Sequence, residues 1–141
     1  MRQAPLRLER FAVLYTRLAL GAAFLSAVAA RFGLWDDRPQ PFQGFIAYTG
    51  EVLSFVPSAA IPFCAVAATI AETSLGLLLI VGVARRRTAL ASAALLATFG
   101  VCMAISFGIK SPLDYSVFSA SAGALLLARQ SGDPGARQAG S

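Results

Sequence analysis

The sequence predicts an all-α membrane protein: four transmembrane helices in an antiparallel bundle, with a short amphipathic helix in the long first extracytoplasmic loop. Three observations predict it. The composition is 57% hydrophobic against 13% charged, too apolar for a soluble domain of this size. The apolar residues gather into four runs, 11–30, 59–84, 88–109 and 112–128, each near the roughly 20 residues that cross a hydrocarbon core. A soluble bundle would carry polar outer faces on its helices, and these runs have almost none. Finally, the cations are asymmetric. Arg2, Arg7 and Arg10 precede the first run, Arg85, Arg86 and Arg87 fill the link after the second, and Arg129 and Arg137 follow the fourth; Arg31, Arg38 and Lys110 face the other side. Eight against three is the positive-inside pattern and puts both termini in the cytoplasm. The net charge of +5 is therefore topology, not a nucleic-acid footprint. At 141 residues the chain has room for one integral membrane domain over 1–141, with a loop at 31–58 and a disordered tail at 130–141.

The first run could be mistaken for a secretory signal, with Ala27, Val28 and Ala29 resembling a cleavage site. Its apolar part is longer than the ~7–15 residues of a signal core and carries Arg17, so we expect a retained helix. One reading of Arg17 is a side chain that snorkels to the headgroups. The other pairs it with Glu72, the lone ionisable residue of the second run. A carboxylate at membrane depth is costly and needs a partner.

In the loop, Gly33, Pro39 and Pro41 break regular structure and Trp35 suits an interface. From Phe42 the pattern changes. Phe42, Phe45, Ile46, Thr49, Val52, Leu53 and Val56 recur at helical spacing, predicting an amphipathic helix that lies on the outer surface or covers the bundle. It is an interfacial anchor on one reading and a lid over a site on another.

Pro57 and Pro62 favour a start for the second span. Within it Ala65, Thr69, Glu72 and Gly76 share one small, polar face, the kind that seats against neighbouring membrane helices. Thr88 is the expected N-cap of the third span, where Thr98, Cys102 and Ser106 form a weak polar stripe that packs inward. Before the fourth, Ser111 is placed to cap, Pro112 to start the helix and Asp114 to complete a capping box. Lys110 and Asp114 are also spaced to pair. Tyr115, Ser116, Ser119 and Ser121 make the outer half of this span polar, suited to burial or to a small cavity.

Arg17 with Gly21, then Glu72 with Gly76, a basic turn, and the closing segment Gly108-Ile109-Lys110-Ser111-Pro112-Leu113-Asp114-Tyr115-Ser116 resemble the DoxX-like family of four-span bacterial membrane proteins. The resemblance runs from about Arg17 to Ala128. It implies a multi-pass protein of the bacterial inner membrane, an accessory subunit of a quinone-linked oxidoreductase with a redox partner subunit. Quinone is then the cofactor, and Arg17, Glu72, Lys110, Asp114 and Tyr115 are the candidate residues to bind its head.

The residues themselves bring no metal cluster, nucleophile–base pair or nucleotide-binding glycine loop. There is no histidine, which removes bis-His haem ligation and imidazole acid–base chemistry. Cys64 and Cys102 lie inside spans and form no CxxC; buried cysteines more often act as small hydrophobes than as a redox pair. No catalytic residue is assigned. Two further readings stay open: a small transporter with Glu72 as its titrating site, and a structural or assembly protein whose charged pair fixes helix register. Asp114 likewise stands as helix cap or ligand site.

Overall fold

The computed structural model of the chain describes residues 3–35 and 37–131. Among these every regular element is helical: α1 (Gln3–Arg31), α2 (Pro41–Val52), a 3-10 turn (Ser58–Ala60), α3 (Ile61–Val81), α4 (Arg85–Phe107), α5 (Lys110–Asp114) and α6 (Val117–Gln130). Three helical stretches are long and apolar enough to cross a bilayer: Leu6–Arg31, Ser58–Val81 and Arg85–Phe107. They match the first three apolar runs.

The fourth run differs from expectation. The chain turns at Tyr115–Ser116, where Ser116 takes φ 56°, and splits the run into α5 and α6. The remaining α6 has 14 residues, about 21 Å of helix, short of a full hydrocarbon core. Among the described residues, three helices and not four are therefore long enough to cross. The capping box fails for a related reason. Gly108, at φ 84°, closes α4, and α5 then starts directly behind Ile109 with no side-chain cap. Ser111 lies inside that helix instead of at its start. Of the expected tail at 130–141, Gln130 closes α6, and positions from 132 on lie outside the described residues.

The helices pack chiefly as two pairs, α1 along α3 and α4 along α6. The first pair depends on two facing glycines. A Cβ on Gly21 would lie 2.7 Å from Ile80 Cγ1 and 3.0 Å from the Gly76 carbonyl oxygen, and one on Gly76 would lie 2.9 Å from Leu25 Cγ. With no lipid–water contrast to drive association, backbone approach of this kind is how membrane helices gain dispersion contacts. In the second pair Gly100 receives the ring of Phe118, and Ser121 donates to the Ala93 carbonyl at 2.8 Å. Leu20, Phe24, Leu79, Ala89, Ala93, Ala124, Leu127 and Ala128 join the pairs in one core. Buried hydroxyls satisfy themselves locally: Thr69 and Ser92 each donate to a carbonyl four residues back at 2.8 Å.

The amphipathic helix appears where its periodicity placed it, as α2, with Pro41 in its first turn. It touches α1, α3 and α4, so it covers one end of the bundle. Phe42 stacks on Phe32, Tyr48 on Phe107, and the Ser106 hydroxyl donates to the Val52 carbonyl at 2.6 Å. At the opposite end Gly82 (φ 83°) and Ala84 (φ 45°) make the α3–α4 turn. Because α4 already begins at Arg85, Thr88 is not its N-cap; its hydroxyl donates to Val83 O at 3.0 Å.

Replacing Gly21 with alanine is expected to wedge α1 from α3 and cost about 1–3 kcal/mol, the usual penalty for overpacking. Reversible unfolding in mild detergent checks this. Gly44→Ala, where a Cβ meets nothing within 4 Å, is the matched control and should change little.

Candidate functional site

The charged centre of the molecule forms where α1 ends. Arg31 is the last residue of α1, and side chains on a helix lean toward its N-terminus. The Arg31 side chain therefore turns back into the bundle. Its Nη2 donates to both oxygens of Glu72, at 2.8 and 2.7 Å, and its Nη1 donates to Thr69 Oγ1 at 3.0 Å. The guanidinium lies 3.7 Å from the centroid of the Phe45 ring on α2. Arg31 is 9% exposed and Glu72 2%, so neither charge is left to solvent. Three helices thus meet on one ion pair: α1 supplies the cation, α3 the carboxylate and hydroxyl, α2 the aromatic face.

This geometry corrects the expectation that Arg17 partners Glu72. Both arginines lean the same way along α1. For Arg31 that direction leads to Glu72; for Arg17 it leads away from it. Arg17 instead reaches the α3–α4 turn, where its Nη1 lies 2.6 Å from the position a Cβ on Gly82 would occupy.

The pair lines a cavity of about 630 Å³. It opens between the α1/α3 pair and α4, under α2, and its walls are almost wholly apolar, with Leu20 and Phe24 from α1, Ala68 and Ala71 from α3, and Phe99 and Met103 from α4. Arg31 and Glu72 form its one charged patch, and Tyr48, Thr49 and Thr98 add hydroxyls. Cys64 and Cys102 are free and line the same space. The polar stripe of α4 faces this cavity and α2, since Ser106 is the residue that holds the end of α2.

The remaining candidate residues lie elsewhere. Lys110 and Asp114 pair with each other across one turn of α5, both largely exposed, so Asp114 serves neither as a cap nor in the cavity wall. Tyr115 is 73% exposed. Burial raises the Tyr48 phenol above its ordinary pKa, with further contributions from nearby Tyr115 and then Glu51. Of the five residues expected to form one site, only Glu72 lies in the chamber wall. Sequence reasoning missed Arg31 and Phe45. The signal for Arg31 was positional, a cation ending an apolar helix whose side chains point inward along it.

Among the described residues, no group of three or more His, Cys, Asp or Glu is placed to hold a metal. What the arrangement offers is an apolar chamber of ligand size with a neutralised ion pair and a few hydroxyls to orient an occupant.

In lipid-free detergent, Arg31→Leu is expected to destabilise by roughly 3–5 kcal/mol, because it strands a buried carboxylate. Arg17→Leu, which breaks no ion pair, should cost less than about 1 kcal/mol. Denaturant midpoints of the two variants test the assignment; equal losses would restore Arg17 as the partner.

Comparison with known proteins settles the family. No curated protein and no solved structure shows significant similarity to the chain. The family model described as methylamine utilisation protein MauE matches residues 9–116, most of the chain and every described helix but α6. The DoxX-like reading is thereby overturned, and the residues that carried it meet ordinary structural needs. Gly21 and Gly76 serve helix approach, Gly108 ends α4, and Lys110 and Asp114 satisfy one another on the surface. Any small helical membrane protein can share these needs. The chain belongs to the MauE family of membrane proteins.

Proposed function

We propose that this chain is an accessory membrane protein of a methylamine-utilisation system, and that its working part is the α2-covered chamber with the Arg31–Glu72 pair. The observation that carries this reading is the family match across 9–116, together with a cavity of about 630 Å³ inside the matched region. That volume falls within the ~300–1,000 Å³ typical of small-molecule sites. Its lining favours an apolar occupant, an aliphatic or ring-bearing molecule or an apolar segment of a partner protein. The protein sits in the bacterial inner membrane with the start of α1 and the α3–α4 turn on the cytoplasmic side, a placement supported by the arginines at 7, 10 and 85–87.

Two alternatives lose support. The quinone-linked subunit rested on the DoxX-like resemblance, and nothing in the chamber singles out a quinone over other lipophiles. The transporter needed a titratable carboxylate exposed to a path. Glu72 is instead held on both oxygens by Arg31, which fixes the carboxylate in place and occupies it with a partner. A scaffold or assembly role agrees better with a locked pair.

The test is genetic. In a bacterium whose growth on methylamine requires its own MauE-family protein, this chain is expected to restore growth when supplied in place of the resident one. Ala71→Trp, which fills the chamber from α3 and leaves Arg31, Thr69 and Glu72 themselves unchanged, should abolish that rescue while the variant accumulates normally in the membrane. Growth on succinate should be unaffected. Full rescue by the filled-chamber variant would remove the chamber from the function, and failure of the unaltered chain to rescue would remove the methylamine assignment.

A further inference from the structure

The end of the molecule opposite the chamber carries a second unusual arrangement. Arg17 is partly buried where α1 crosses the α3–α4 turn, and its Nε is shut off from solvent with no hydrogen-bond partner. Neither Nη makes a hydrogen bond or ion pair among the described residues. The guanidinium lies directly on Gly82: a Cβ there would be 2.6 Å from Nη1 and 3.0 Å from Cζ. Arg85 donates its Nε to the Gly82 carbonyl at 3.3 Å, and its two terminal nitrogens make no hydrogen bond among the described residues. Two guanidinium groups are therefore held against one glycine, and neither has an ion pair among the described residues.

The helix that follows makes the imbalance larger. The first turn of α4 holds Arg85, Arg86 and Arg87, has no acidic residue and has no side-chain cap. Cations at a helix N-terminus oppose its dipole, and the first backbone N–H groups of the helix lack partners. An anion at this turn would answer the like charges and the uncapped helix start, and would give the unpaired terminal nitrogens of Arg17 a partner. Guanidinium groups bind phosphate oxygens through paired, charge-assisted hydrogen bonds. The turn closes a helix long and apolar enough to cross a bilayer, and a basic turn at the end of such a helix comes within reach of phospholipid phosphates.

We propose that Arg17 and Arg85, set around Gly82, form a binding site for a phosphate group presented by an anionic phospholipid of the adjacent leaflet. Arg17 supplies the recessed contact and Arg85 the outer one. Gly82 is needed because any side chain would displace Arg17 from the turn.

The test uses the full chain, purified in mild detergent and stripped of lipid, with thermal stability read while phosphatidylglycerol is titrated in. Phosphatidylglycerol is expected to raise the melting temperature, and phosphatidylcholine to raise it far less. Arg85→Gln, an exposed position that leaves folding intact, should weaken the apparent affinity for phosphatidylglycerol several-fold, and Arg17→Gln should abolish the shift. Arg86→Gln removes the same charge from the same turn of helix but does not touch Gly82, and should keep most of the response. Equal losses for Arg85→Gln and Arg86→Gln would reduce the effect to diffuse surface charge and overturn the site. Inorganic phosphate matching phosphatidylglycerol at equal concentration would overturn the lipid as its source.

Discussion

The buried pair between Arg31 and Glu72 is the interaction on which the rest of the structure depends. A carboxylate in the middle of α3 is costly in lipid unless a cation reaches it. The cation comes from the far end of α1, so the pair fixes the axial register of those two helices. Gly21 and Gly76 then allow the backbones to meet at that register. The same guanidinium lies on Phe45, which ties α2 down over the bundle. One electrostatic requirement thus sets the position of three helices, and the cavity is the space left between them and α4.

The two ends of the bundle answer their charges differently. At the α2 end the charges cancel within the protein, in an apolar setting where an uncompensated ion would be expensive. At the α3–α4 turn they do not cancel: the first turn of α4 holds three arginines and no acidic residue. This division explains how a chain with so few charged residues can hold one arginine almost fully buried and leave another unpartnered. It also separates two features by place: an apolar cavity lined by the paired charges, and a turn rich in unpaired arginines at the other end.

Much of this was legible in the sequence. Apolar run length predicted the three crossing helices, and the spacing of Phe42, Phe45, Ile46 and Thr49 predicted α2. The face shared by Ala65, Thr69, Glu72 and Gly76 is buried as a unit, as its periodicity implied. What periodicity cannot convey is direction along the axis. Arg17 and Arg31 lie on the same helix, and by sequence distance alone Arg17 was the embedded one. The lean of side chains toward the helix N-terminus decides between them, and it selects Arg31. The fourth run misled for another reason. Apolar length carried the expectation of a span, while the left-handed turn at Ser116 depends on how α5 follows the end of α4, which no local pattern in the run records. The family resemblance failed where it leaned on glycines and a surface pair, residues that serve general packing needs.

Whether Arg31 is what neutralises Glu72 is measured most directly by a double-mutant cycle. Arg31→Met, Glu72→Met and the double variant would be unfolded reversibly in the same detergent. Strong coupling is expected, with the double variant more stable than at least one single variant, since replacing both members of a buried pair by apolar residues removes the stranded charge that either single change leaves. Additive losses, or coupling of Glu72 to Arg17 in the parallel cycle, would contradict it.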